Sequence, residues 1–189
     1  PNTAQNTYSV LNHFQSLAEG QKTTVSFDVT VTDNNGESDI DTVTVEVTGT
    51  ADAPVLSVSN LSATEDGPSV SGTASETDLD LNDTHTYSVT PMPAGQGTVN
   101  INANTGQYTY SVGNDFQWLA EGQKTTVSFG VTVTDNKGES DTETVTVTVT
   151  GTADAPVLSV SNLNATEDGP SVSGTASETD ADTDRKSVV

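Results

Sequence analysis

The sequence has no cysteine and few aromatic or strongly apolar residues, and each shortage excludes a class of protein. Without cysteine, disulfides and thiolate metal sites are ruled out. Aromatic residues make up 5% of the chain and hydrophobic residues 31%, so any core must be thin and built mainly of valine. A thin core suits a two-layer β-sandwich better than a large α/β enzyme.

Basic residues are also scarce. Lys and Arg together number 5 against 27 Asp and Glu, which gives a formal net charge of −22. Nucleic acids and anionic membrane surfaces are therefore poor partners, because both are bound through Lys and Arg. No apolar run approaches the roughly 20 residues that span a bilayer, so membrane insertion is not expected. Self-repulsion at this charge opposes compaction and makes a bound cation an attractive hypothesis.

A β-hairpin pattern organises the chain from Thr126 to Pro156. Valine and phenylalanine alternate with small or polar residues on both sides of a polar turn at 135–138, which predicts two paired strands with one apolar face. The hairpin runs into the linker 151–156, which carries one carboxylate. The same pattern occurs once before, at 24–54.

The hairpin belongs to a longer internal repeat. Residues 15–80 recur as residues 117–182, offset by 102 positions and with eight differences. A period of this size is one whole domain rather than a short solenoid unit. We therefore divide the chain into the C-terminal half of a first repeat with its linker (1–52), one complete repeat (53–152) and the N-terminal part of a third repeat (153–189).

The two incomplete repeats are nearly complementary pieces of one domain. Half of a sandwich leaves an apolar face and sheet edges unpaired. One hypothesis is that the halves pair between molecules, and the alternative is that the first half packs poorly. Since the chain begins at Pro1, has no signal peptide and contains one methionine, Met92, we interpret it as an interior piece of a longer protein.

Seven short strands separated by turn signals are predicted within the complete repeat, the pattern of a β-sandwich. The segment 116–120 is expected to be a short helical or irregular crossing that plugs one end of the core, with Trp118 in packing or on the surface. The strands are placed at about 55–59, 69–74, 85–90, 97–102, 107–112, 125–134 and 143–150.

Acidic residues gather in the loops of the repeat. Asp52 lies in the linker, Glu65 lies near the beginning of the complete repeat, 76–83 is an acidic loop, and Asp135 begins the hairpin turn. Carboxylates and loop carbonyls supply the oxygen ligands, about six to eight of them, that Ca²⁺ requires. The recurrence of four acidic elements at one period favours a calcium site over the alternative of solvated loop acids.

An enzyme is not expected. His13 and His85, the two histidines, occupy unrelated positions of the repeat. The sequence has no zinc-ligand set, phosphate-binding glycine loop or nucleophile elbow. Carboxylate pairs can hydrolyse glycosides, but a duplicated thin sandwich with its acids at the domain junctions offers no evident cleft.

Several motifs together carry a family resemblance. They are Thr64-Glu65-Asp66-Gly67, Thr77-Asp78-Leu79-Asp80, Asn104-Thr105-Gly106, Leu119-Ala120-Glu121-Gly122, Val131-Thr132-Val133-Thr134-Asp135-Asn136-Lys137-Gly138 and Gly151-Thr152-Ala153-Asp154-Ala155-Pro156. Over nearly its whole length the chain resembles the bacterial cadherin-like repeats, often called VCBS repeats, of giant RTX-type surface adhesins. The resemblance implies tandem Ig-like, cadherin-like Greek-key β-sandwiches with Ca²⁺ at the domain junctions, forming a stiff spacer outside the cell, at the bacterial surface.

The resemblance also implies which residues bind the metal. One junction would use Asp52 from the linker with Asp78, Asp80 and Asp135. The next would use Glu65 with Asp154, Asp180 and Asp182, and Asp33 would serve a junction before residue 1. The linker has one Asp where cadherins have Asn-Asp-Asn, which implies one or two ions per junction rather than three.

The sequence is consistent with two functions and conflicts with a third. The first is a calcium-rigidified structural extender of a large adhesin that acts in cell adhesion and biofilm formation, with neighbouring repeats as partners. The second is a carbohydrate-binding or homophilic module that takes a cell-surface or matrix polysaccharide through Tyr87, Tyr108, Tyr110 or Trp118, although the three tyrosines fit strand positions in a core better. The third, a disordered acidic linker, conflicts with the sustained alternation of apolar and polar residues.

Overall fold

A computed structural model describes residues 3–182, in which every regular element is a β-strand. The strands are β1 (Lys22–Thr32), β2 (Ser38–Thr48), β3 (Val55–Ser57), β4 (Leu61–Thr64), β5 (Val70–Thr73), β6 (Ser75–Thr77), β7 (His85–Val89), β8 (Thr98–Ile101), β9 (Gln107–Ser111), β10 (Lys124–Asp135), β11 (Ser140–Thr150), β12 (Val157–Val160) and β13 (Ala176–Thr179). Among the described residues there is no helix long and apolar enough to cross a membrane.

The alternation of valine and threonine shapes the two longest strands of the complete repeat. Val131 and Val133 of β10 and Val145 of β11 are fully buried, whereas the residues between them are partly exposed. On the other face, the hydroxyls of Thr132 and Thr142 lie 2.7 Å apart across the two strands. Period-two patterning therefore separates a core face from a hydrated face, as the sequence predicts.

The complete repeat contains a four-stranded sheet in the order β4-β11-β10-β7, a three-stranded sheet in the order β5-β9-β8, and the short pair β3-β6. Strand β4 runs parallel to β11, and β5 and β8 run antiparallel to β9. Tyr108 of β9 meets Phe129 of β10 edge to face, with ring centroids 5.8 Å apart. The all-β, Ig-like sandwich predicted from the sequence is confirmed.

All seven predicted strands are present, and two further strands were missed. Strands β4 and β6 have only four and three residues, and β6 contains no apolar side chain. Both are strands because of their partners, since β4 lies on the end of β11 and β6 on β3. Such pairings are long-range contacts that a short sequence window does not contain.

The crossing at 116–120 is irregular and contains turns rather than a helix. Its Leu119 is 1% exposed and closes the core, while Trp118 is 52% exposed. Trp118 is therefore a surface residue, which explains how Ser16 can stand at the same position of the first copy.

The described residues form two compact units. One contains 3–56, 75–86 and 132–142, and the other contains 57–74, 87–131 and 143–182. The first unit includes the β1–β2 hairpin, whose eleven-residue strands pair from Lys22↔Thr48 to Thr32↔Ser38. The second includes the β12–β13 pair of the third repeat.

Tyr108 ties a loop to the core of the complete repeat. Its hydroxyl donates to the carbonyl of Ser59 and accepts from the Ser59 amide at 2.9 Å. The ring lies against the backbone of Gly72, where an added Cβ would come within 2.5 Å of ring atoms. Glycine is therefore required opposite the ring.

We expect Tyr108→Phe to lower the free energy of unfolding by about 1–3 kcal/mol, because both backbone groups of Ser59 lose their side-chain partner. Chemical denaturation checks this value. Trp118→Phe, at an exposed aromatic of the same repeat, should change it by less than about 0.5 kcal/mol. Equal effects of the two substitutions would contradict the proposed role of the hydroxyl.

Candidate metal centres

Two clusters of carboxylates lie beside the two linkers. The Asp52 cluster belongs to the first compact unit and consists of Asp52, Asp78, Asp80, Asp83 and Asp135. The Asp154 cluster belongs to the second and consists of Glu65, Asp66, Asp154, Asp180 and Asp182. Each cluster draws its acids from segments far apart in sequence, so the fold rather than local sequence assembles it.

The tightest grouping is in the Asp52 cluster. Carboxylate oxygens of Asp78, Asp83 and Asp135 all lie within 4.8 Å of one another. This spacing allows one cation to contact all three carboxylates, since Ca²⁺–oxygen distances are about 2.3–2.6 Å.

Asp135 is held by the turn that it begins. Its Oδ1 accepts hydrogen bonds from the amides of Lys137, Gly138 and Glu139 at 2.8, 2.7 and 2.9 Å. Its Oδ2 is buried and has no hydrogen-bond partner. Asp135 follows Val133 on the buried row of β10, so period-two alternation directs its carboxylate inward.

The loop acids Asp78 and Asp80 are linked to each other and to the linker. The Asp80 amide donates to Asp78 Oδ1 at 2.9 Å, and the Asp52 amide donates to Asp80 Oδ2 at 2.9 Å. His85 Nε2 lies 2.8 Å from Asp78 Oδ2, and its Nδ1 lies 3.3 Å from Glu76 Oε1. These contacts fix the loop while Asp80 Oδ1 remains buried without a partner.

The Asp154 cluster repeats this construction one period later. The Asp154 amide donates to Asp182 Oδ2 at 2.9 Å, and the Asp182 amide donates to Asp180 Oδ1 at 3.1 Å. Glu65, which is 1% exposed, adds a carboxylate from the complete repeat and accepts from the Thr152 amide at 3.2 Å. Linker, loop acids and Glu65 therefore meet in one place.

Glu65 continues a buried row, as Asp135 does. Leu61 and Ala63 of β4 are buried, and Glu65 is the next residue with the same parity. Parallel pairing of β4 with the end of β11 carries this row towards the linker, where the Glu65 amide donates to the Thr150 carbonyl at 2.9 Å. The carboxylate is thus placed by the sheet.

Unpartnered oxygens distinguish these clusters from ordinary loop acids. Within residues 3–182, six buried side-chain oxygens lack a hydrogen-bond partner, and all six belong to the two clusters. Buried anionic oxygens without a partner are costly, and a donor set made only of carboxylates fits a hard divalent cation such as Ca²⁺. The six oxygens are Glu65 Oε1, Asp80 Oδ1, Asp83 Oδ2, Asp135 Oδ2, Asp154 Oδ2 and Asp182 Oδ1.

Burial and like charge change the acidity of the Asp154 cluster. Burial raises the pKa of Glu65 above its ordinary value of 4.5, and the charges of Asp154, Asp66 and Asp182 raise it further, against the lowering effect of the Thr152 amide. Burial also raises the pKa of Asp154, with the charge of Asp182 as the next cause. The folded chain therefore holds these two carboxylates at a cost when no cation neutralises them.

Eight of the nine candidate ligands from the sequence lie in the two clusters, and the ninth lies apart. Asp33 is exposed, and its Oδ1 accepts from the amides of Asn35 and Glu37 at 2.9 Å each, which repeats the local turn of Asp135. Asp83 and Asp66 were not assigned as ligands from the sequence. Asp83 was visible as part of the acidic loop, and Asp66 as the neighbour of Glu65.

The chain is similar to one known family and to several solved structures. The model of a family described as "Bacterial cadherin-like domain" matches residues 51–151. Similar solved structures include extracellular domains 1–4 of protocadherin gamma B7 (16% identity, 88% of this chain and 56% of that chain, TM-score 0.49) and of Drosophila N-cadherin (19%, 71% and 35%, TM-score 0.44). Mouse protocadherin-24 domains 1–3 are also similar (22%, 68% and 45%, TM-score 0.39).

The chain spans about half or less of the length of these structures. No curated protein matches the chain.

We predict that the metal-free chain becomes more stable as the pH falls towards 4.5. Glu65 binds its proton more tightly in the folded state, so stability is fully present below 4.5 and is lost as the pH rises through the raised pKa. Thermal melting in chelator should show a weaker pH dependence for Glu65→Gln than for the unmodified chain.

Glu167→Gln is the matched control, because Glu167 stands at the equivalent position of the third repeat and is exposed. It should leave the pH dependence unchanged. If the Glu65→Gln chain kept the full pH dependence, Glu65 would not be the group whose ionisation destabilises the metal-free chain.

Proposed function

The chain belongs to the bacterial cadherin-like domain family, and we propose that it is a calcium-stiffened spacer of a large extracellular adhesin of the VCBS-containing RTX type. Membership of the family indicates an adhesion-type extracellular repeat module. To this family-level role we add three proposals. The chain binds calcium, the bound calcium stiffens the array of repeats, and the array acts in cell adhesion and biofilm formation at the bacterial surface.

The observation that carries the proposal is the position of the unpartnered oxygens. Each cluster combines a linker aspartate, Asp52 or Asp154, with acids from the acidic loop of the repeat that the linker leads into. The backbone amide of each linker aspartate donates to a carboxylate of that loop. A cation bound to Asp154 and Asp182 would also neutralise Glu65, whose Oε1 lacks a partner. Linker and repeat would then be joined through one ion.

The mechanism is electrostatic. Without a cation, like charges within a cluster repel and favour conformations in which the linker moves away from the loop acids. With a cation, the carboxylates that repel one another become ligands of the same ion, so one linker conformation is stabilised over the others. Repeats joined by such linkers form a stiffer array.

Calcium suits the clusters better than the commoner alternatives. Softer metals favour thiolate or imidazole ligands, whereas the unpartnered atoms here are carboxylate oxygens only. Mg²⁺ demands near-octahedral geometry and keeps several waters, whereas Ca²⁺ accepts about six to eight oxygens in flexible arrangements. Loop carbonyls and water can complete the coordination shell.

We also propose that the chain is not an enzyme and that neighbouring repeats are its main partners. Tyr108 and Tyr110 are fully buried, so neither can stack on a sugar ring. Trp118 remains an exposed aromatic, but Ser16 replaces it in the first copy. Tyr87, the fourth candidate, is partly buried, with its ring beside Gly106. A polysaccharide partner therefore has little support from these four residues.

Calcium should raise the melting temperature of the chain, because a ligand that binds only the folded state stabilises it. The gain is about 2.7 kcal/mol when free calcium is 100-fold above the dissociation constant. Asp135→Asn should remove much of this gain, since the amide oxygen can still accept the turn hydrogen bonds but the charge is lost. Calorimetry in calcium and in chelator measures the difference.

Glu143→Gln removes one negative charge from an exposed position of β11 and should leave the calcium-dependent gain intact. If the unmodified chain melts at one temperature in calcium and in chelator, the metal assignment is wrong. If both substitutions reduce the gain equally, the effect belongs to net charge and not to the Asp52 cluster.

Small-angle X-ray scattering tests the mechanical part separately. At concentrations where the chain is monomeric, replacing chelator by calcium should lengthen or stiffen it. Calcium binding with unchanged scattering would retain the metal site but reject its role as a stiffener.

A further inference from the structure

The acidic loop supplies two of the three carboxylates that lie closest together, and the β10–β11 hairpin supplies the third. Asp78 and Asp83 lie between β6 and β7, whereas Asp135 ends β10. One cation can contact all three only while the loop stays beside the hairpin. The contacts that hold the loop there without a cation therefore bear on how tightly the site binds one.

The backbone of the acidic loop is not relaxed. Asn82 has a φ of 76°, in the left-handed region that residues other than glycine rarely adopt, although asparagine tolerates it better than most. Asn82 precedes Asp83, so its conformation helps to set the direction of the Asp83 carboxylate. Strained conformations of this kind persist where the surrounding structure holds them. Contacts that can do so are present on both sides of the loop.

Asn136 holds the side of the loop that follows Asp83. Its Oδ1 accepts a hydrogen bond from the Thr84 amide at 3.2 Å. Asn136 lies in the hairpin turn, whose backbone is fixed by the three amides that donate to Asp135 Oδ1. One side chain therefore joins the residue after Asp83 to the residue after Asp135.

Asp141 of β11 holds the other side of the loop through the β3–β6 pair. Its Oδ2 accepts from the Leu56 amide of β3 at 2.8 Å, and β3 is hydrogen-bonded to β6. Strand β6 ends at Thr77, so the pair that Asp141 contacts leads directly into Asp78. The hairpin thus contacts the chain both before and after the acidic loop.

Asp141 differs from the acids of the Asp52 cluster in its hydrogen bonds. Its Oδ1 accepts from the Thr142 amide at 2.8 Å, so both of its oxygens have backbone donors. Asp135 Oδ2, by contrast, is buried and has no partner. The oxygens of Asp141 are therefore used to hold the chain, as is Oδ1 of Asn136.

We propose that Asn136 and Asp141 are positioning residues that hold the acidic loop beside the hairpin before the cation binds. This inference rests on the proposed calcium site at the Asp52 cluster. Ordering a loop lowers its conformational entropy, and here the loss occurs during folding rather than during metal binding. The site should therefore bind calcium more tightly than the same carboxylates would on a free loop.

Asn136→Ala should weaken calcium binding at the Asp52 cluster by about three- to tenfold, the factor that corresponds to one hydrogen bond. An NMR titration of the 189-residue chain measures each cluster separately, with the Asp80 amide reporting on the Asp52 cluster and the Asp154 amide on the other.

Two controls accompany this substitution. Asn104→Ala removes an exposed asparagine from another turn of the complete repeat and should leave both affinities unchanged. In the Asn136→Ala chain, the Asp154 cluster should keep its affinity. Equal weakening at the two clusters would indicate general destabilisation and overturn the positioning role of Asn136.

Asp141→Asn tests the second contact. The amide side chain has one acceptor oxygen in place of two, so its nitrogen must face the amide of either Leu56 or Thr142. Binding at the Asp52 cluster should weaken by a similar factor. Glu143→Gln, two residues along β11 and exposed, removes the same charge and is the matched control. If both substitutions weaken binding equally, the effect is one of charge, and Asp141 does not position the loop.

Hydrogen exchange in chelator tests the two contacts without the metal. Asn136→Ala should speed the exchange of the Thr84 amide and leave that of the Leu56 amide unchanged, and Asp141→Asn should do the reverse. Unchanged exchange of both amides in both variants would overturn the proposal.

The titration also separates this proposal from the one on which it rests. No calcium-dependent shift at either cluster would overturn the calcium site and the positioning role together. Calcium binding at the Asp52 cluster with unchanged affinity in both variants would retain the site and overturn the positioning role alone.

Discussion

Repulsion among buried carboxylates is the constraint on which the rest of this structure depends. An uncompensated buried charge costs several kcal/mol, and a whole domain is stable by only about 5–15 kcal/mol. Glu65, Asp80, Asp135 and Asp182 are each less than one-tenth exposed, and each has an oxygen without a hydrogen-bond partner. A valine core of this thickness has little stability to spare, which is why we propose a compensating cation in each of the two clusters.

The strand pattern that builds the core also positions these acids. Val133 and Asp135 share the buried row of β10, and Ala63 and Glu65 share that of β4. In both cases the row continues one step beyond the core and delivers a carboxylate to the end of the sheet. The strands therefore position one carboxylate of each cluster, and the linker aspartate of each cluster donates its backbone amide to a loop carboxylate.

Much of the fold could be predicted because alternation over long strands is a strong local signal, and β10 and β11 match it closely. Strands β4 and β6 could not, because their existence depends on partners distant in sequence. The acids of the two clusters were visible as loop residues, and eight of the nine ligands predicted from the sequence lie in these clusters, four in each. Asp83 and Asp66 were not assigned, since only the folded chain shows which acids of a loop turn towards the same point.

Diffraction from crystals grown with calcium, with anomalous data, tests the central claim most directly. The account predicts an anomalous peak within about 2.3–2.6 Å of the unpartnered oxygens of Asp83 and Asp135, and a second beside those of Glu65, Asp154 and Asp182. Well-ordered carboxylates in saturating calcium with no peak at either cluster would contradict it.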